Sequence, residues 1–182
     1  DGSLDPDTQR EELLLDLNRL AGDGFLQLGD FAVSPDHQWL AYSLDCQGDE
    51  EYQLYLKHLA SGNISELPLD QADGSLVWAN DSATLFAISM DEASRPATLW
   101  RMQRGTPPVR IYHEADQRFY LHAYRSSSEQ WLILASDSKN TSEVRLVSAD
   151  EPAADWQLLA RRQSGHEYHV DHGPQGLPIR SN

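Results

Sequence analysis

The chain has 182 residues, of which 40% are hydrophobic and 24% are charged, and its 29 acidic and 14 basic residues give a formal net charge of -15. This charge argues against nucleic acid and anionic membranes as partners and favours cationic ligands. No segment reaches the roughly 18 apolar residues of a membrane helix. The single cysteine, Cys46, excludes an intrachain disulfide and favours the cytoplasm.

The first predicted elements are an apolar strand at residues 11–16 and a short helical turn at residues 17–21, which Gly22 ends. Strand patterns follow from residue 31 onwards, and no further helix is predicted. The chain is therefore expected to be all-β.

The same arrangement of four strands is repeated along the chain. Polar turns recur at positions 34, 80 and 126, each 46 residues apart. An almost continuously apolar strand follows each turn, as expected for a strand buried on both faces, at residues 40–43, 85–88 and 132–135. Two more strands complete each unit. The third strands are predicted at residues 52–56, 98–102 and 143–147, and the fourth strands at residues 65–69, 109–112 and 157–160. A further copy begins near residue 167.

Four short strands in about 40–50 residues, repeated without helices, predict the blades of a β-propeller. A β-sandwich is the alternative, but it does not explain why the same turn and apolar strand return every 46 residues. About three complete blades with partial blades at both ends cannot close a ring. We therefore expect part of a larger protein, with self-association through the open blade ends.

Many stretches resemble the propeller of the oligopeptidase B (protease II) branch of the prolyl oligopeptidase family of serine peptidases. They occur in the same order and cover nearly the whole chain, at residues 12–18, 28–43, 45–52, 74–86, 91–96, 141–147 and 168–172. The resemblance implies a seven-bladed propeller over an α/β-hydrolase domain that carries a Ser, Asp, His triad. It also implies cleavage of short peptides after Lys or Arg, with the propeller limiting access by larger proteins.

The family's layout implies how residues 1–182 divide among blades of one partial propeller domain. Residues 1–30 would end one blade, residues 31–69, 75–114 and 120–162 would form complete blades, and residues 166–182 would start the next. No G-x-S-x-G nucleophile motif occurs. Because the catalytic hydrolase domain lies outside this sequence, we expect a serine endopeptidase as the parent protein and no catalytic residues in this chain.

Acidic loops are the candidate functional feature. Asp45, Asp49 and Glu50 follow the second strand of one repeat, and Asp91 and Glu92 follow that of the next. Asp137 holds the same position in the third repeat. Equivalent loops of successive blades project from one face, so these charges predict an acidic arc. The arc would attract basic peptides or pair with arginines of the hydrolase domain; the alternative is a solvated acidic rim without a specific role.

Three histidines, His166, His169 and His172, are spaced by three. In a strand they alternate between faces, so we predict no metal site, and we expect no cofactor.

The predicted function is therefore the substrate-gating part of a cytoplasmic oligopeptidase, with its own hydrolase domain and short basic peptides as partners. Two alternatives stay open at this point. One is a non-catalytic propeller that serves as a protein-interaction platform, and the other is a family member that cleaves after proline.

Overall fold

The computed structural model describes residues 12–173 and 176–182. Within them, the helix α1 spans Leu17–Ala21, and fourteen strands follow: β1 Gln27–Val33, β2 Trp39–Asp45, β3 Tyr52–His58, β4 Ile64–Ala72, β5 Val77–Trp78, β6 Thr84–Met90, β7 Pro96–Gln103, β8 Val109–His113, β9 Tyr120–Arg125, β10 Trp131–Asp137, β11 Ser142–Ser148, β12 Gln157–Ala160, β13 Tyr168–Val170 and β14 Ile179–Ser181.

The N-terminal elements are predicted correctly only in part. Asp16 caps α1 by accepting a hydrogen bond from the Arg19 backbone N–H at 3.0 Å, and Gly22 ends the helix with a φ of 54°. Of the predicted strand at residues 11–16, residue 11 lies outside the described residues, and residues 12–16 form no strand. The prediction fails there because Leu14 and Leu15 pack against the face of β2 instead of pairing with a strand edge.

The other strands pair in chain order as antiparallel groups. The first blade consists of β1 to β4, the second of β5 to β8 and the third of β9 to β12, while β13 and β14 form a two-stranded partial blade; a pairing between β4 and β6 joins the first two blades into one continuous sheet. This arrangement confirms the predicted propeller architecture. It argues against the β-sandwich, because among the described residues no strand of one blade is inserted between the strands of another.

Within the described residues, one pair of strand residues joins the sheets of the first two blades. Ala72, the last residue of β4, pairs with Ser89 of β6, and the Asp73 N–H donates to the Ile88 carbonyl at 3.0 Å. Two residues of β5 then pair with the far end of β6. The chain thus passes directly from the outer strand of one blade to the inner strand of the next.

Apolar layers between the blades form the core. On β6, Leu85 and Ala87 face the first blade, while Phe86 and Ile88 face the third, and all four are at most 2% exposed. A third layer between the third blade and the partial blade includes Ile133. Each large buried side chain contributes about 1.5–3 kcal/mol through the hydrophobic effect, so the second and third blades are each stabilised by neighbours on both sides.

The outer face of the first blade is covered differently. Leu40, Tyr42 and Leu44 of β2 are buried beneath the N-terminal segment around α1. Phe31 of β1 remains 60% exposed. This blade face therefore keeps exposed apolar surface, and self-association through it stays a prediction. The described residues contain no helix long and apolar enough to cross a membrane.

Candidate functional site: the loop face of the propeller

Strand direction places two sets of connections on one face. Because strands alternate in direction within a blade, the loop between its second and third strands lies at the same end as the linker to the next blade. Contacts agree with this: the Arg95 guanidinium donates to the Phe119 carbonyl at 2.7 Å, and the Gly165 N–H donates to Thr141 Oγ1 at 3.2 Å. Arg95 and Thr141 belong to loops, and Phe119 and Gly165 belong to linkers. We call this side the loop face.

Asp45 lies at the base of the first of these loops and is fully buried. Its carboxylate accepts backbone N–H hydrogen bonds from Gln47 at 2.8 Å, Gly48 at 2.7 Å and Glu50 at 3.0 Å. Burial opposes ionisation, but these N–H groups together lower the pKa of Asp45 below its usual value. The side chain therefore holds the loop together, and its charge is turned inward.

The loop presents other carboxylates to solvent. Asp49, Glu50 and Glu51 are exposed, and Asp49 accepts the Glu51 N–H at 3.2 Å. Glu50 adopts a φ of 62°, in the left-handed region. Three adjacent exposed acids on a loop that is fixed from within form a local negative field.

The second loop also uses one carboxylate internally and exposes another to solvent. Asp91 accepts hydrogen bonds from the Ala93 N–H at 3.0 Å and from Arg95 Nε at 2.9 Å. Burial opposes ionisation, but the Arg95 and Ala93 N–H groups and the Arg95 guanidinium lower the pKa of Asp91. Arg95 is only 5% exposed, since it also bonds carbonyls of the following linker. Glu92 is exposed, so it carries the negative charge that this loop presents.

The third loop exposes a positive charge instead of negative ones. Asp137 ends β10 at the position equivalent to Asp45 and Asp91, but its buried Oδ1 has no hydrogen-bond partner among the described residues. The residues that follow are Ser138, Lys139 and Asn140, with Lys139 exposed. Among these three loops, the exposed acids thus belong to the first two blades, and the loop of the third blade presents a cation.

A buried ion network lies beside this third loop. Glu114, which is 3% exposed, accepts hydrogen bonds from Arg162 at 2.7 Å, Ser136 at 2.7 Å and Tyr112 at 2.9 Å. Arg162 also contacts Glu143 at 3.1 Å. Burial favours the neutral acid, but the bonds from Arg162 and Ser136 lower the pKa of Glu114 to about 2. The network joins the linkers on either side of the third blade.

A pocket opens above this network. Its volume is about 300 Å³, and we call it the basic pocket; it is lined by Arg118, Phe119, Ser138, Lys139, Asn140, Thr141, Arg162 and Ser164. The Arg162 guanidinium lies 3.9 Å from the Phe119 ring centroid, which is within cation–π range. Arg118 is 80% exposed and pairs with Asp116 at 2.6 Å.

Sequence reasoning missed both the ion network and the basic pocket. Glu114 and Arg162 are 48 positions apart, each in a linker just after a fourth strand, and no short motif joins them. The sequence does show the positive charge of Lys139, since this residue lies in the loop after Asp137 and the equivalent loops of the other two blades carry acids.

The three histidines have different surroundings, and only His166 lies near the basic pocket, where its carbonyl accepts the Ser142 N–H at 3.0 Å. The His166 ring packs near Tyr168 at 5.3 Å, and His172 Nδ1 is 2.7 Å from Ser128 Oγ. His169 is exposed on β13. Across residues 12–173 and 176–182, no three His, Cys, Asp or Glu side chains are placed to hold a metal ion.

Four-stranded blades joined in sequence define the chain as part of a β-propeller domain. Residues 2–182 match the family described as prolyl oligopeptidase, N-terminal beta-propeller domain. The chain therefore belongs to the prolyl oligopeptidase family.

Among curated proteins, it is 33% identical over 178 residues to Protease 2 of Moraxella lacunata, covering 94% of this chain and 26% of that protein. It is also 33% identical over 181 residues to Dipeptidyl aminopeptidase BI of Pseudoxanthomonas mexicana, covering 94% of this chain and 24% of that protein. The chain thus spans about a quarter of the length of these relatives.

Solved structures agree with this assignment. Oligopeptidase B from Leishmania major superposes with a TM-score of 0.89 at 27% identity, covering 100% of this chain and 26% of that one. Oligopeptidase B from Trypanosoma brucei, in a closed form with covalently bound antipain, gives a TM-score of 0.83 at 29% identity, with the same coverage. The family is one of peptidases, and the propeller is a domain of a larger chain in these homologues.

Proposed function

We propose that this chain is the propeller part of a serine oligopeptidase that cleaves short peptides after Lys or Arg. The chemistry would reside in the hydrolase domain of the parent protein. The propeller's role is to limit entry to short peptides and to attract basic ones to the loop face.

One observation carries the specificity for basic peptides. The first two loops of the loop face use Asp45 and Asp91 internally, and they expose Asp49, Glu50 and Glu92. Fixed carboxylates at a shared surface raise the local concentration of cationic ligands. A relative named Protease 2 and the similarity to oligopeptidase B structures support the same assignment.

Cleavage specificity tests the proposal directly. The complete protein would be incubated with peptides of 8–12 residues that contain one internal Arg, Lys or Pro, and products would be identified by mass spectrometry. We expect cuts after Arg and Lys. Cuts only after Pro would support the proline-specific alternative, and no cleavage of any peptide would favour the non-catalytic interaction platform.

A second candidate activity has its own support. Because Dipeptidyl aminopeptidase BI is also 33% identical, release of N-terminal dipeptides is the competing hypothesis. Acetylation of the substrate's N-terminus separates the two activities. Continued cleavage after Arg in acetylated peptides supports the endopeptidase, whereas loss of all cleavage supports the dipeptidyl activity.

Gating has a separate test. The same Arg-containing sequence would be presented as a free peptide and within an exposed loop of a folded carrier protein. We expect the peptide to be cut and the carrier to remain intact. Equal cleavage rates for both would contradict gating. The single exposed Cys46 fits the proposed cytoplasmic location, which fractionation of the source cells would test.

A further inference from the structure

We propose that the basic pocket binds the carboxylate end of an oligopeptide, at the loop of the third blade and next to the acidic loops of the first two blades. This inference rests on the proposed function in one respect, namely that peptides are the ligands of the loop face. It adds a second recognition site, which selects for an anionic group in the same peptide.

Charge balance within the pocket identifies the group that is free to bind an anion. Arg162 is neutralised by Glu114 and Glu143, and Arg118 is paired with Asp116. Lys139 makes no ion pair with any residue in the described part of the chain and is exposed. It therefore supplies a positive charge that pairs with no carboxylate of the described residues, in a chain whose formal net charge is -15.

Neighbouring groups suit a carboxylate. The Arg118 side chain is 80% exposed and pairs with Asp116 through Nε and one terminal nitrogen, which leaves further N–H donors on the fork. Asn140 accepts a hydrogen bond from Thr141 through its side-chain oxygen at 3.2 Å, so its amide nitrogen is the side-chain group available to donate. An ammonium, a guanidinium and an amide can together satisfy both oxygens of a carboxylate.

The wall of the pocket strengthens the attraction. Phe119 is 3% exposed, with the Arg162 guanidinium packed over its ring at 3.9 Å. An apolar wall lowers the local dielectric constant and focuses the field of nearby charges. A volume of about 300 Å³ is at the lower end of ligand-binding pockets, and it suits one terminal residue with its carboxylate.

The opposite charges on the loop face would also orient a bound peptide. The acids Asp49, Glu50 and Glu92 lie on the loops of the first two blades, and Lys139 lies on that of the third. A peptide with a basic residue and a free C-terminus would be oriented along the face by this polarity. Complementary charges of this kind fix register more than they raise affinity.

Paired substrates test the inference in the complete protein. Two acetylated peptides with the same internal Arg would differ only in ending as a free acid or as an amide. We expect the acid to have the lower KM by about three- to fivefold, a typical size for a partly exposed charge pair. Lys139→Gln and Arg118→Gln should each remove most of this preference, and Lys139→Arg should retain it.

Arg110→Gln is the matched control, because Arg110 is an exposed cation on β8 outside the pocket. It should leave the preference for the acid unchanged. An unchanged preference in Lys139→Gln, or an equal loss in Arg110→Gln, would overturn the proposal, since the pocket would then have no specific role.

An amidated peptide that ends in Glu identifies which carboxylate is recognised. If it regains the lower KM in the wild-type protein but not in Lys139→Gln, the pocket accepts a side-chain carboxylate. If it does not regain it, the pocket requires the main-chain terminus.

A binding assay keeps this test independent of the proposed activity. Fluorescence anisotropy with the same two peptides, labelled at the N-terminus, measures the preference without cleavage. If the complete protein does not cleave after Arg, tighter binding of the acid that depends on Lys139 still supports the pocket. Equal affinities for acid and amide would reject it.

Discussion

The loops that follow β2 and β10 occupy the same position in two blades and both begin at an aspartate, yet they differ in hydrogen bonding and in exposed charge. The first turns the Asp45 carboxylate inward onto its own backbone N–H groups and exposes Asp49 and Glu50. The third leaves a buried oxygen of Asp137 without a partner among the described residues and exposes Lys139. The repeat therefore fixes where a loop lies, whereas each loop's own residues decide its charge.

The polar groups around the two loops differ as well. The first loop is stabilised by its own backbone, so its surface acids can change without affecting other blades. The third loop adjoins the network of Glu114, Arg162 and Glu143, which crosses from one linker to the next. Substitutions near the third blade should therefore change stability more than substitutions on the surface of the first loop.

Removal of the Arg162 side chain should produce the largest effect. Arg162→Met leaves Glu114 and Glu143 without their shared cation, and we expect the free energy of unfolding to fall by about 2–3 kcal/mol. Urea unfolding monitored by tryptophan fluorescence would measure the change. Arg161→Met removes the neighbouring exposed arginine and should change stability by less than about 0.5 kcal/mol. Equal effects of the two substitutions would contradict a structural role for the network.

The two equivalent aspartates give a matched pair for the next prediction. Asp45→Asn replaces one acceptor oxygen by an NH₂ group that faces backbone N–H donors, so it should lower the thermal unfolding midpoint by about 3 °C or more. Asp137→Asn should have little effect or should stabilise, since it removes charge from an oxygen that lacks a partner among the described residues. Scanning calorimetry would compare them, and the opposite order would refute the assigned roles.

Lowering the pH should weaken the ion network around Glu114 over a defined pH range. The pKa of Glu114 is lowered to about 2 in the folded protein, from an unfolded value of about 4.5. Its stabilising contribution is therefore complete above pH 4.5 and is lost as the pH falls towards 2. Urea unfolding between pH 6 and pH 3 should show a smaller loss of stability for Glu114→Gln than for wild type. Parallel curves would mean that Glu114 does not contribute to acid sensitivity.

Sequence reasoning predicted the propeller because its signal is periodic: an apolar strand such as residues 85–88 returns at constant spacing, and packing between blades requires it. It could not predict that the carboxylates of Asp45 and Asp91 accept hydrogen bonds within their own loops, since this depends on which backbone N–H groups the turn directs at them. The pairing of Glu114 with Arg162 was also hidden, because it joins two linkers across a blade.

The salt dependence of substrate capture tests the central claim of an acidic loop face most directly. A double variant, Asp49→Lys with Glu50→Lys, would be compared with wild type in the complete protein. A matched control, Glu151→Lys with Asp155→Lys, makes the same charge change on exposed residues of the loop between β11 and β12, at the opposite end of the blade.

We predict that kcat/KM for a short Arg-containing peptide falls about fivefold in the loop-face variant at low ionic strength. The difference should shrink as salt screens the charges, and the control should stay close to wild type. A kcat/KM that is the same in wild type and the loop-face variant at every ionic strength would contradict the claim.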